Sequence, residues 1–127
     1  MTSNDFFVND YFELMALHRA LLEAKFCDEP NDLDVSASPI VAELHKRLIR
    51  SIVDAEIDRK GSLAKDEWDD WLKIDTTRRE WEVGLQRARR ERLWDEWSIQ
   101  EKKKYVYDLL SPFKLNEELV DNFIAQV

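Results

Sequence analysis

A single cysteine, two glycines and three prolines are all that this 127-residue chain contains of those types, and each shortage excludes something. One cysteine, Cys27, cannot build an internal disulfide framework and agrees with a reducing compartment. Beside Phe26 at the end of a helical stretch, it reads as a small buried hydrophobe. So few glycines and prolines leave little material for hairpin turns, and no run alternates apolar and polar residues in the manner of a strand. No stretch approaches the roughly 18 apolar residues of a membrane span. The opening Met-Thr-Ser-Asn-Asp lacks the basic start and apolar core of a secretory signal. The expectation is a cytoplasmic protein that does not engage a membrane. Chemistry is also short of signatures, with no glycine-rich phosphate loop, nucleophile elbow or serine–histidine or cysteine–histidine pattern. The chain therefore reads as a non-enzyme with no cofactor and no metal.

What is present is hydrophobic content of 44% and charged content of 36%, enough for one domain with a real core. The net charge of −8 is uneven, because residues 1–38 hold eight acids and only two bases. An acidic surface repels nucleic acid and anionic membranes and favours encounter with basic proteins. All five tryptophans, Trp68, Trp71, Trp81, Trp94 and Trp97, fall in one quarter of the chain. They lie among dense charge of both signs, so they form either the seat of the fold or a surface for a partner.

Helical periodicity runs through the rest, and the fold class it implies is all-α, a single domain built as an irregular bundle of five to six helices. A first helix is expected from Asp5 to Phe26, capped by Ser3 or Asn4, with Phe7, Tyr11, Leu14, His18, Leu21 and Leu22 on its inner face. Residues 27–38 form an acidic loop. Ser38-Pro39 starts a second helix as N-cap and first turn, with Val41, Leu44, Leu48, Ile52 and Ala55 inward and Gly61 at its end. Ser62 is placed to cap a short third helix carrying Trp68 and Trp71. A fourth begins after Asp75-Thr76-Thr77 and runs toward Trp97. Trp81, Leu85 and Ala88 share one face of it, whereas Leu93, Trp94 and Trp97 fall on the other, so this helix bends or ends near Arg90 or meets two bodies. Ser98 and Glu101 form a capping box for a fifth helix that Ser111-Pro112 stops, and Asn116 caps a sixth.

Four groups of residues carry candidate chemistry. Residues 56–67 resemble the twelve-residue calcium loop of an EF-hand, with acids at positions one, three and twelve and Gly61 at six. Lys60 occupies position five, where an oxygen ligand belongs, so an ordinary helix–glycine–helix corner is expected instead. The run Arg87-Ala-Arg89-Arg90-Glu-Arg92 offers guanidinium groups to phosphate, but its arginines point several ways around a helix and acids neutralise them. A solvated face is the reading, and nucleic acid is not the expected partner. His18 and His45 lie on separate helices without a Glu-x-x-His or His-x-x-x-His pair, and read as hydrogen-bonded core or boundary residues rather than metal ligands.

The last group is the set of acids and tryptophans. Asp28, Glu29, Asp32 and Asp34 in the loop, Asp66, Glu67, Trp68, Asp69, Asp70 and Trp71 in the third helix, and Trp94 and Trp97 are the expected partner-binding residues. The functional expectation is a binding protein, in concrete form an immunity protein or inhibitor that neutralises a toxin or effector with a basic surface. Homodimerisation is open. A nucleic-acid-associated regulator using Arg87–Arg92 and a secretion chaperone or adaptor are the alternatives.

Overall fold

The computed structural model describes residues 6–30, 32 and 34–127. Among them are six α-helices, α1 Tyr11–Phe26, α2 Pro39–Lys60, α3 Leu63–Leu72, α4 Arg79–Arg89, α5 Ile99–Leu110 and α6 Glu117–Gln126, with a 3-10 turn at Trp94–Glu96. The protein is a single all-α domain. No helix among the described residues is long and apolar enough to cross a membrane.

Local chemistry places most of the boundaries. The Ser38 hydroxyl accepts from the Val41 N–H with Pro39 in the first turn, and Ser98 and Glu101 close a reciprocal capping box. Asn116 accepts from the Leu119 N–H, and Gly61 ends α2 at φ 86°, a left-handed region that favours glycine. Two helix starts differ from expectation. α1 starts at Tyr11, because the Asp10 carboxylate accepts from the Phe12 and Glu13 N–H groups and so captures the cap. Phe7 is then 76% exposed instead of inward, while the expected caps Ser3 and Asn4 and the start at Asp5 lie outside the described residues. Ser62 precedes α3 without a side-chain capping bond, because its own backbone is already helical. α4 ends at Arg89, one of the outcomes that the two-faced tryptophan pattern allowed.

Two apolar clusters form the core. One joins Leu14 of α1 to Leu48, Ile49 and Ile52 of α2 and Leu72 of α3, and the other is built on α4, α5 and α6 around Trp81, Val106, Leu109, Leu110 and Phe123. Trp71 is partly buried against both clusters and ties the two halves together. Gly84 lets α4 approach α5 and α6, since a Cβ there would meet Leu110 Cδ2 at 2.7 Å and Phe123 Cε2 at 3.3 Å.

The buried face of α2 is Ala42, His45, Leu48, Ile49, Ile52 and Glu56. It is rotated from the expected stripe, so Leu44 is 46% exposed. The cause is that two polar residues, His45 and Glu56, find partners inside the fold. Cys27 is half-buried at the end of α1 rather than a core residue.

Candidate functional site

At the edge of the buried face of α2, the buried Ile49 continues into the half-buried Val53 and Ile57, one helical turn or so apart. With Leu72 of α3 and Phe113 and Leu115 from the turn after α5, these residues line an open groove of about 750 Å³. The turn is held to α3 by a backbone bond from Lys114 N–H to the Leu72 carbonyl at 2.8 Å. Lys46, Arg50, Lys65 and Lys114 stand on the rim against only Asp54 and Asp69. Lys114 and Asp69 are paired at 2.9 Å and Arg50 pairs with Glu43 at 3.8 Å, leaving Lys46 and Lys65 against Asp54. On a chain of net charge −8, this is a local reversal of sign around an apolar floor.

A second site lies between α1, α2 and α3. The His18 Nδ1 and His45 Nε2 atoms are 2.9 Å apart, and both rings are buried. Burial, then Arg19, pushes the His18 ring down to about 4. Burial, then His18 and Lys25, pushes His45 down to about 3, so the pair is neutral near pH 7. Next to it the Glu56 carboxylate accepts from the Tyr11 hydroxyl at 2.5 Å and the Trp68 Nε1–H at 2.6 Å. Burial pushes Glu56 up, but those two donors with Lys60 and Arg59 outweigh it and hold the group below its ordinary value. Tyr11 is pushed up in return, first by the hydrogen bond to Glu56.

A third arrangement fastens the acidic loop. Lys25 is buried and its ammonium donates to the Asp108 and Ser111 carbonyls at 2.8 and 2.5 Å, at the end of α5. Arg87, also buried, donates to the Cys27 carbonyl and to Ser36 Oγ. Ser36 in turn donates to the Lys25 carbonyl.

The expected site residues divide between surface and interior. Asp28, Glu29, Asp32 and Asp34 are exposed in the loop, and Asp66, Glu67 and Asp70 are exposed on α3. Asp28 is paired with Arg79 at 2.7 Å, and Asp70 with Lys73 at 3.1 Å. Asp69 is partly covered and belongs to the groove rim.

None of the tryptophans is exposed. Trp94 is 7% exposed and belongs to the core, while Trp97 packs against it and against Tyr105. Trp68 and Trp71 pack edge-on against each other and against His18. The four tryptophans assigned to a partner surface thus point inward, because each large ring gains more from the facing helices than from water.

Residues 56–60 are the last turn of α2 and 63–67 the first of α3, so the stretch that resembles a calcium loop is a corner and its Glu56 is already bonded. Among the described residues no group of three acidic, histidine or cysteine side chains is placed to hold a metal. The basic run is not uniformly solvated, since Arg87 is buried and Arg89 donates to the Gln126 carbonyl at 2.7 Å.

Sequence reasoning overlooked Tyr11 as a donor, Glu56 as a buried carboxylate, Lys25, and the groove. The spacing of Lys46, Ile49, Arg50, Val53, Asp54 and Ile57 was a signal for the last of these, an apolar stripe widened at one edge of a helix. No protein-family model, curated protein sequence or solved structure matches this chain.

Proposed function

We propose that this protein is a non-catalytic binding protein and that the groove along α2 and α3 seats an apolar segment of another protein flanked by acidic residues. The observation that carries this is the open apolar floor framed by Lys46, Arg50 and Lys65 on an otherwise acidic chain. A floor of this kind provides area for burial, and the surrounding cations orient a carboxylate-bearing segment and select against a basic one. Size, acidity and the absence of catalytic motifs support a concrete form, an inhibitor or immunity protein that covers the working surface of a toxin or effector.

A second surface has its own support. Glu29, Asp66 and Glu67 are exposed and make no side-chain bond among the described residues, which leaves them free to meet a basic partner. The two surfaces are separable by charge reversal. The double substitution Lys46→Glu and Arg50→Glu should abolish partner binding, whereas Asp66→Lys with Glu67→Lys should leave it intact. The reverse pattern would move the interface to the acidic surface. A photo-crosslinking residue at Val53, compared with one at Glu29, gives the same discrimination without changing charge.

A further inference from the structure

Phe6, Phe7 and Phe12 stand in solvent before and in the first turn of α1, at 84%, 76% and 71% exposure. Phe12 has a neighbour, since the Arg59 guanidinium lies 5.8 Å from its ring and 4.2 Å from that of Tyr11. Phe6 and Phe7 belong to neither apolar cluster. Two adjacent aromatic rings left in water mark a contact surface more strongly than single scattered residues do.

The sequence around them is Asp5-Phe6-Phe7-Val8-Asn9-Asp10, an apolar segment with a carboxylate at each end. The α2–α3 groove has the complementary chemistry, with Val53, Ile57 and Leu115 in its floor and Lys46 and Lys65 facing Asp54 at its rim. Its dimensions agree as well. Ile49 to Ile57 covers about 12 Å of helix, and an extended segment of six residues covers about 17 Å. The rings thus lie over the floor while the carboxylates reach the rim.

Within one chain the groove is not filled in this way, because neither Phe6 nor Phe7 is part of its lining. The root of the segment is held on the α1 side of α2. There the Tyr11 hydroxyl donates to Glu56 at 2.5 Å, and Val8 packs against the cluster of Leu14, Leu48 and Ile52. A second copy offers the groove without disturbing either hold.

We propose that two copies of this chain associate by exchanging these segments, Phe6 and Phe7 of each seated in the α2–α3 groove of the other. The proposal rests on the reading of that groove as a seat for an acid-flanked apolar segment, and it names an occupant that a partner protein must displace. Reciprocal exchange closes a two-fold dimer and leaves no open end for further chains. Two chains of net charge −8 repel each other at a distance, so the dimer is weak and rests on the two local contacts.

Sedimentation equilibrium of the full chain from about 10 μM to about 1 mM should show monomer passing into dimer. Phe6→Ser with Phe7→Ser, at exposed positions, should abolish the dimer, as should Lys46→Glu with Arg50→Glu on the groove. Mixing these two variants should then give a 1:1 complex weaker than the parent dimer, because one intact segment still meets one intact groove. A fluorescent peptide of residues 1–10 should bind the segment variant and not the groove variant. A chain that stays monomeric over the whole range, a dimer indifferent to the loss of both rings, or variants that do not complement each other would each overturn the exchange. The reading of the groove fails separately, by equal binding of the peptide to both variants, and it stands if the peptide discriminates between them while the parent is monomeric.

Discussion

Acidification from pH 7 to pH 5 should cost this fold about 2–3 kcal/mol through two residues alone. His18 and His45 are buried side by side, and their folded values, about 4 and about 3, lie below the ordinary 6.5. The unfolded chain therefore takes up protons first. Stability is intact above pH 6.5 and falls as the pH drops toward the folded values, by about 1.4 kcal/mol per unit for each ring. At pH 5 that is about 2 kcal/mol per histidine, and water in the cleft beside His18 together with the coupling of the rings brings the sum down toward half.

Other groups leave this window clear. Lys25, pushed to about 7 by burial, gives a dependence that rises from pH 7 to its ordinary 10.5, and Glu56, held below its ordinary 4.5, matters only below that. Urea unfolding followed by circular dichroism in steps from pH 7 to pH 5 should lower the midpoint by about 1–2 M, taking an ordinary slope for a domain of this size. The variant His45→Gln should lose about half of that pH dependence, whatever its stability at pH 7. A midpoint that stays level over the interval, or a variant with the slope of the parent, would refute the buried neutral pair.

Three further outcomes are expected. Gly84→Ala gains about 1 kcal/mol of helix propensity but drives a methyl group to 2.7 Å from Leu110 Cδ2; overpacking of about 1–3 kcal/mol wins, and a lower urea midpoint is the check. Arg87→Ala releases the Cys27 carbonyl and Ser36, so limited proteolysis within residues 27–38 should accelerate several-fold, and an unchanged rate would show the loop is held by other contacts. Ser98→Ala removes one half of the capping box of α5 and should cost about 1 kcal/mol by thermal unfolding.

What could be read from the chain was what local chemistry decides. Ser38-Pro39, Gly61, Ser98 with Glu101, and Asn116 each satisfy backbone groups within a turn, and the boundaries they imply are where the structure has them. The start of α1 was harder because several polar residues compete for one cap and Asp10 wins. The inward face of α2 was harder still. Hydrophobicity alone leaves His45 at the border of the apolar face and puts Glu56 outside, and only Tyr11, Trp68 and His18, contributed by other helices, make their burial affordable. Lys25 and Arg87 follow the same logic, since a buried cation needs carbonyls that α5 and the loop supply after folding. The tryptophans were visible as important, but whether a ring faces a neighbouring helix or a partner depends on packing between elements.

The proposed groove and the acidic surface make opposite demands on salt, and that separates them more cleanly than affinity does. At about 0.15 M salt, charges more than about 8 Å apart are largely screened, so the net charge of −8 acts chiefly on the approach of a partner and less on the docked contacts. A basic partner arriving at Asp66 and Glu67 is steered by the whole chain, and added salt should slow its association steeply. An acid-flanked segment entering between Lys46, Arg50 and Lys65 is repelled by the whole chain and held only by groups a few ångströms away. Added salt should then leave its association rate level or raise it, while dissociation quickens as the rim contacts are weakened. Stopped-flow association measured across a salt series therefore reads the sign of the partner directly, and a steep fall in the association rate would place the interface on the acidic surface and not in the groove.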